Sequence, residues 1–144
     1  MGKKRIIQKA DLATEAGRAA AIKSSSSRKG VTDGRVNILS TYNNTLIAIC
    51  DLKGNLLMSS SSGALGFSGT KKGTPYAATK VAEFLGEKAK AAGVKTLHLK
   101  VKGIGAGRDA ALRSFVAQGF EILSIKDATP IPHRGVKSPK PRRV

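Results

Sequence analysis

The chain has little of several residue types on which enzymes and secreted proteins depend. Its 144 residues include one cysteine, two histidines and no tryptophan, and aromatic residues make up only 4% of it. A single cysteine excludes an intrachain disulfide, and Cys50 lies in an apolar run where a buried structural thiol is expected. No spacing of histidine and cysteine is typical of a zinc site. No stretch approaches the roughly 20 apolar residues of a membrane span.

Acidic residues are also scarce. Nine Asp and Glu stand against 26 Lys and Arg, which gives a formal net charge of +17. So large an excess favours a polyanionic partner such as nucleic acid, and an anionic membrane surface is the alternative. No motif brings Asp51, Asp109 and Asp127 together, as the magnesium site of a nuclease would require. We therefore expect no catalytic residues, no metal and no cofactor.

The N-terminal segment, residues 1–33, is predicted to be a basic arm. It carries eight cations against three acids, a net +5, and a short helix is possible around residues 11–22. We interpret it as an RNA-binding arm, and the alternative is an organellar transit peptide. Five of its residues are predicted to bind RNA: Lys3, Lys4, Arg5, Arg28 and Lys29.

The C-terminal segment, residues 129–144, is predicted to be a basic tail. It has five cations and no acid, and its four prolines forbid a helix and favour an extended chain. Such a tail is expected to become ordered only on a polyanion. Its predicted RNA-binding residues are His133, Arg134, Lys137, Lys140, Arg142 and Arg143.

Between the two segments, residues 34–128 predict one α/β domain. An antiparallel meander of three strands is followed by helix, strand, helix and strand, which implies parallel pairing through right-handed crossovers. The second strand is apolar on both faces and is expected to be central, and the third is expected at an edge. The predicted strands cover residues 34–41, 45–51, 56–60, 96–102 and 120–126, and the helices cover 75–92 and 108–118.

A glycine loop joins the fourth strand to the second helix. Gly103, Gly105 and Gly107 allow the backbone to turn sharply, and the free N–H groups of the helix start favour an anion. Positive residues surround it, so a phosphate is the expected ligand. The predicted RNA-binding residues here are Lys102, Gly105, Gly107, Arg108 and Arg113.

The glycine loop has alternative interpretations. A dinucleotide site would place a third glycine where Arg108 stands, although Asp127 lies at the distance of a ribose-binding acid. A Walker loop would need a following Gly-Lys-Ser/Thr triplet, which the sequence does not have. A tight turn without any ligand is the remaining alternative.

Two further segments are candidates for RNA contact. The loop at 61–74 has four glycines and two lysines, which is typical either of a flexible surface loop or of close approach to RNA phosphates. The first two strands are joined by a polar turn. The residues predicted to bind RNA in these segments are Asn43, Asn44, Lys71 and Lys72.

Four segments together resemble the bacterial-type small-subunit ribosomal protein S-eleven family. They are residues 34–45 (GRVNILSTYNNT), 66–78 (GFSGTKKGTPYAA), 102–113 (KGIGAGRDAALR) and 127–133 (DATPIPH), in that order. The resemblance covers about residues 30–144. Two departures are Ile104, where the family usually has proline, and Arg134, where it usually has asparagine. The first implies a slightly less rigid loop, and the second removes an Asn-Gly pair that can rearrange to isoaspartate.

The resemblance implies a ribonuclease H-like fold without nuclease activity, in a structural protein of the cytoplasmic ribosome. It implies binding to central-domain loops of small-subunit ribosomal RNA, on the platform near the exit-site messenger RNA. The implied protein neighbours are S-six, S-eighteen, S-seven and, where it is present, S-twenty-one, with no membrane and no small-molecule substrate. A nucleotide-dependent enzyme and an architectural DNA-binding protein are the alternative functions.

Overall fold

The structure is a computed structural model, and it describes residues 31–141. The predicted helix around 11–22 lies outside the described residues. So do seven of the predicted RNA-binding residues: Lys3, Lys4, Arg5, Arg28, Lys29, Arg142 and Arg143.

All seven predicted strands and helices are present, with ends within about one residue of the predicted ones. A 3-10 segment, Gly69–Gly73, precedes the first helix. The helices end at glycines with positive φ, Gly93 and Gly119, which confirms the predicted stops. The elements are β1 (Asp33–Ser40), β2 (Thr45–Asp51), β3 (Leu56–Ser61), α1 (Pro75–Ala91), β4 (Thr96–Lys102), α2 (Gly107–Ala117) and β5 (Glu121–Asp127).

The strands form one mixed sheet in the order β3-β2-β1-β4-β5. β2 is antiparallel to both β1 and β3, whereas β4 is parallel to both β1 and β5. This confirms the α/β class, the antiparallel meander and the edge position of β3.

β2 is an interior strand, paired on both sides, but the middle of the sheet is occupied by β1 and not by β2 as predicted. The crossover through α1 brings β4 to the free edge of β1. The apolar residues on the second face of β2 do not indicate burial there, since Leu46 is 42% exposed.

Both helices pack on the same face of the sheet. Alternate residues of β1, β2 and β4, such as Ile38, Ile47 and Leu99, are fully or almost fully buried beneath them. Small residues of α1, including Ala78 and Ala82, belong to the same core and let the helix lie close to the strands. The other face of the sheet is covered by no helix of the described chain, so its side chains are half-buried or exposed.

Candidate nucleic-acid interface

The turn between β1 and β2 lies at the edge of the sheet where β1, β4 and β5 end. The Thr41 N–H donates to the Asn44 carbonyl (2.9 Å), and the Thr41 hydroxyl accepts from the Asn44 N–H (3.1 Å). These bonds close the turn and leave its tip, Tyr42 and Asn43, exposed. The turn therefore presents polar groups outward from a fixed backbone.

The glycine loop packs directly on this turn. A Cβ atom at Gly103 would overlap the carbonyl oxygen of Ser40, and one at Gly105 would overlap that of Thr41. A Cβ at Gly107 would lie 2.7 Å from an alanine methyl of α1, closer than real carbon atoms approach. The three glycines are therefore needed for packing. This is what the interpretation of the loop as a tight turn without a ligand predicts. RNA contact at Gly105 and Gly107, both buried, stays a prediction.

The loop that carries the two lysines packs on the other side of the same turn. A Cβ atom at Gly73 would overlap the carbonyl oxygen of Tyr42. The 3-10 segment therefore carries Lys71, exposed, and Lys72, half-buried, within two residues of this contact with the turn. Backbone hydrogen bonds and packing hold this loop against the turn, so two cations of the chain are fixed near this edge of the sheet.

Arg108 joins the glycine loop to the end of β5. Its guanidinium donates to the Asp127 carboxylate (2.6 Å) and to the Gly103 carbonyl (3.2 Å). The other carboxylate oxygen of Asp127 accepts from the Thr129 hydroxyl (2.6 Å) and from the Thr129 N–H (2.9 Å). The hydroxyl of Thr129 in turn accepts from the Gly103 N–H (3.2 Å). We call these four residues the tail clamp, because they fix the point where the C-terminal segment leaves the domain.

The tail clamp changes the chemistry of Asp127. Hydrogen bonds from the Thr129 hydroxyl and then from Arg108 hold the pKa of its carboxyl well below the usual range. Both carboxylate oxygens are already bonded, and half of the sheet is antiparallel. A dinucleotide site would need a free ribose-binding acid and a parallel sheet, and the structure provides neither here.

The loops and the tail clamp together form what we call the loop edge: residues 41–44, 69–74 and 102–108, with 127–129. Lys102 is exposed at its centre, and Arg113 is exposed in the second turn of α2. Beyond the clamp, residues 130–141 are exposed and belong to no helix or strand. The predicted residues that meet at the loop edge are Asn43, Asn44, Lys71, Lys72, Lys102, Gly105, Gly107 and Arg108. Those on the exposed tail are His133, Arg134, Lys137 and Lys140.

The sequence predicted no function for a second group of cations. Arg35, Lys100 and Lys126 lie on the face of the sheet opposite the helices, with His98 between them in the strand register. In sequence they are only the polar positions of alternating strands. The signal that could have found them is the parallel pairing of β1, β4 and β5, which places alternate positions side by side.

Two other kinds of site receive no support within residues 31–141. No three His, Cys, Asp or Glu side chains are grouped so that they could hold a metal ion. No helix of that range has both the length and the apolar character needed to cross a membrane.

Comparisons with known proteins agree with the resemblance seen in the sequence. The family model described as Ribosomal protein S11 matches residues 34–143. The small ribosomal subunit protein uS11 of Sphingopyxis alaskensis is 52% identical over 117 residues, which cover 81% of this chain and 91% of that protein. The protein of the same name from Rhizorhabdus wittichii is 51% identical over 117 residues, which again cover 81% of this chain and 91% of that protein. The chain therefore belongs to the ribosomal protein S11 family, as a structural, non-enzymatic protein of the small subunit of the cytoplasmic ribosome.

Proposed function

We propose that the loop edge holds small-subunit ribosomal RNA by its phosphates, and that the two basic segments extend this contact. The observation that carries the proposal is the convergence of three loops at one edge, from which the basic tail also leaves. Within residues 31–141, no carboxylate lies within ion-pair distance of Lys71, Lys72 or Lys102, whereas Arg108 is paired with Asp127. Phosphate contacts of this kind position a protein on RNA without reading its sequence.

The family resemblance supports a finer proposal. The RNA segments are central-domain hairpin loops on the platform, near the exit-site messenger RNA, and the neighbouring proteins are S-six, S-eighteen, S-seven and, where present, S-twenty-one. Residues 1–33 and 129–144 act as RNA-binding arms of the domain at 34–128. Sedimentation of the native protein with small-subunit particles, followed by RNA footprinting, tests this placement.

Charge neutralisation tests the role of the loop edge. The variant K71Q/K72Q/K102Q should bind a central-domain RNA fragment more weakly than the parent in a filter assay. The matched control is K53Q/K88Q/K95Q, because these three exposed lysines lie towards the opposite end of the sheet. Equal losses in both variants would contradict the proposal, and competition with duplex DNA separates it from an architectural DNA-binding function.

A further inference from the structure

The face of the sheet that no described helix covers has an ordered arrangement of side chains, and we call it the open face. In the strand register, Arg35 of β1 lies beside His98 of β4, and His98 lies beside Ser124 of β5. The next row along the strands holds Asn37, Lys100 and Lys126. The row after that holds Leu39 and Lys102 and reaches the loop edge.

Part of the open face is a shallow depression of about 360 Å³. Its charged lining is entirely positive, and the imidazole of His98 within it lies 2.8 Å from the Ser124 hydroxyl. Among the positions of the open face, the nearest carboxylates in the register are Asp33 and Glu121, which flank Thr96 at its far end, whereas Asp51 and Asp127 stand at positions that alternate with this face. The residues that line the depression are Arg35, Leu52, His98, Leu99, Lys100, Ser124 and Lys126.

The spacing of these cations suits a repeating anion. Neighbouring strands lie about 4.8 Å apart, and alternate residues of one strand lie about 6.6 Å apart. Lys100 and Lys126 are therefore close enough to share one phosphate, and Lys102 lies within reach of the next. Arginine adds a fork of N–H donors, and lysine adds three donors on a flexible stem.

We propose that the depression on the open face is a second RNA phosphate site of this protein. The inference rests on the proposed function, because the column of cations runs into the loop edge through Lys102 and a bound RNA can extend from one surface to the other. No Phe, Tyr or Trp stands in the three register rows, so stacking on bases is not the mode of contact. The contact is with the RNA backbone and is independent of base sequence.

An acidic protein segment is the alternative ligand of the open face. Leu39 and Leu46 are paired across β1 and β2 and are 38% and 42% exposed, so one corner of the face offers apolar contact. The depression itself is lined by residues of β1, β4 and β5 and by Leu52, which follows β2, and five of its seven lining residues are cations or hydrogen-bonding groups. This composition matches a phosphate backbone better than an amphipathic protein surface.

The salt dependence of RNA binding tests the second site. The open-face variant R35Q/K100Q/K126Q, as the full chain, should bind a central-domain RNA fragment with a slope of log K against log salt that is less steep by about 2 to 3 units. The control K53Q/K88Q/K95Q removes the same charge and should change the slope by less than about 1 unit. Circular dichroism verifies that each variant folds.

A tethered probe locates the RNA independently of affinity. In a C50S background, an iron chelate on S59C stands on the open face, because Ser59 pairs with Ala48, which pairs with Asn37. A chelate on E87C stands on the outward side of α1. We expect hydroxyl radicals to cleave bound RNA from the first position and much less from the second.

The outcomes separate this inference from the proposed function. If the open-face variant has the salt slope of the control while K71Q/K72Q/K102Q loses affinity, the second site is wrong and the loop edge stands. If the open-face variant binds RNA normally but sediments poorly with ribosomal particles, a protein occupies the face and the second RNA site is also wrong. If the loop-edge variant binds like the parent, the proposed function itself fails.

Discussion

Single residues of the glycine loop are constrained by packing that the sequence does not display. Gly107 is buried, and a Cβ there would lie 2.5 Å from the Thr45 hydroxyl oxygen and 2.7 Å from the Cβ of Ala78. We expect G107V to lower the free energy of unfolding by about 1–3 kcal/mol through overpacking. Urea denaturation measures this. G135V is the control, because nothing lies within 4 Å of that position, and a loss as large at Gly135 would contradict the packing explanation.

Arg108 can act on RNA directly or through the tail clamp, and two variants distinguish these roles. If its charge contacts a phosphate, R108A weakens binding and lowers the salt slope, whereas D127N leaves Arg108 free and does not weaken binding. If Arg108 mainly positions the tail, both variants weaken binding to a similar extent. We expect the first pattern, with a similar loss across RNA variants, measured by filter binding. R108A should leave the circular dichroism unchanged, because the Arg108 side chain is 31% exposed and outside the core.

The tail clamp also predicts a pH dependence. The pKa of Asp127 is lowered in the folded protein by the Thr129 hydroxyl and by Arg108, so the unfolded chain binds its proton first as pH falls. The stabilisation is complete at pH values above the ordinary carboxyl pKa of about 4, and it is lost as pH falls towards the lower folded value. Denaturation at a series of pH values should show a steeper decline below pH 4 for the parent than for D127N. If the stability of the parent and of D127N fell in parallel with pH, the stabilising role of the tail clamp would be contradicted.

At the scale of elements, the start of α1 is the clearest local signal. The Thr74 hydroxyl accepts from the Ala77 N–H (3.3 Å) and donates to the Lys71 carbonyl (2.7 Å), so one side chain caps α1 and ties the 3-10 segment to it. We expect T74A to cost about 1 kcal/mol of stability in urea denaturation. T79A is the matched control, because its hydroxyl only donates back to the Pro75 carbonyl within the helix. A cost at position 79 equal to that at 74 would argue against capping.

Elements were predictable from sequence wherever the determining interactions are local. Period-two alternation, the Thr74-Pro75 start and the glycine stops gave the strands and helices with nearly correct ends. The central place of β1 was not predictable, because it depends on pairing with a strand far along the chain. The contact between α1 and α2 was missed for the same reason. There the side chain of Gln118 occupies the space that a Cβ at Gly86 would need, and its amide donates to the Ala82 carbonyl (3.1 Å).

The residues of the candidate site likewise differ in how far the sequence predicts them. Loop positions such as Lys71 and Lys102 could be proposed from sequence because charge next to glycine is visible there, and the structure brings them to one edge. The proposed site on the open face could not be predicted from sequence, because Arg35, Lys100 and Lys126 become neighbours only through the parallel register. Arg108 was predicted only as a phosphate ligand, and its bond to Asp127 depends on the position of β5.

For the whole molecule, the net charge of +17 predicts strongly salt-dependent RNA binding. With about 6–10 phosphate contacts, affinity should fall by roughly 10³–10⁵ between 50 and 200 mM salt. Filter binding at several salt concentrations measures the slope. A flat response would show that contacts with bases or with proteins dominate instead.

The C-terminal tail is expected to change on binding. Residues 130–141 are exposed and make no strand or helix, and Ile131 and Val136 are 78% and 100% exposed. We expect backbone NMR of the free protein to show fast motion in 132–141 and slow motion on addition of RNA. The domain at 34–128 serves as the rigid reference, and a tail as rigid as the domain in the free protein would contradict the expectation.

The central position of β1 also affects how the chain is made. Its antiparallel partner β2 follows at once, but every pair in the parallel ladder with β4 joins residues 63 apart, as between Asp33 and Thr96. At a synthesis rate of about 5–20 residues per second, the second edge of β1 stays unpaired for several seconds. An unpaired strand edge is a template for association with another chain. During those seconds residues 1–33, with a net charge of +5, are already made, and we expect repulsion between these segments of two growing chains to oppose their association.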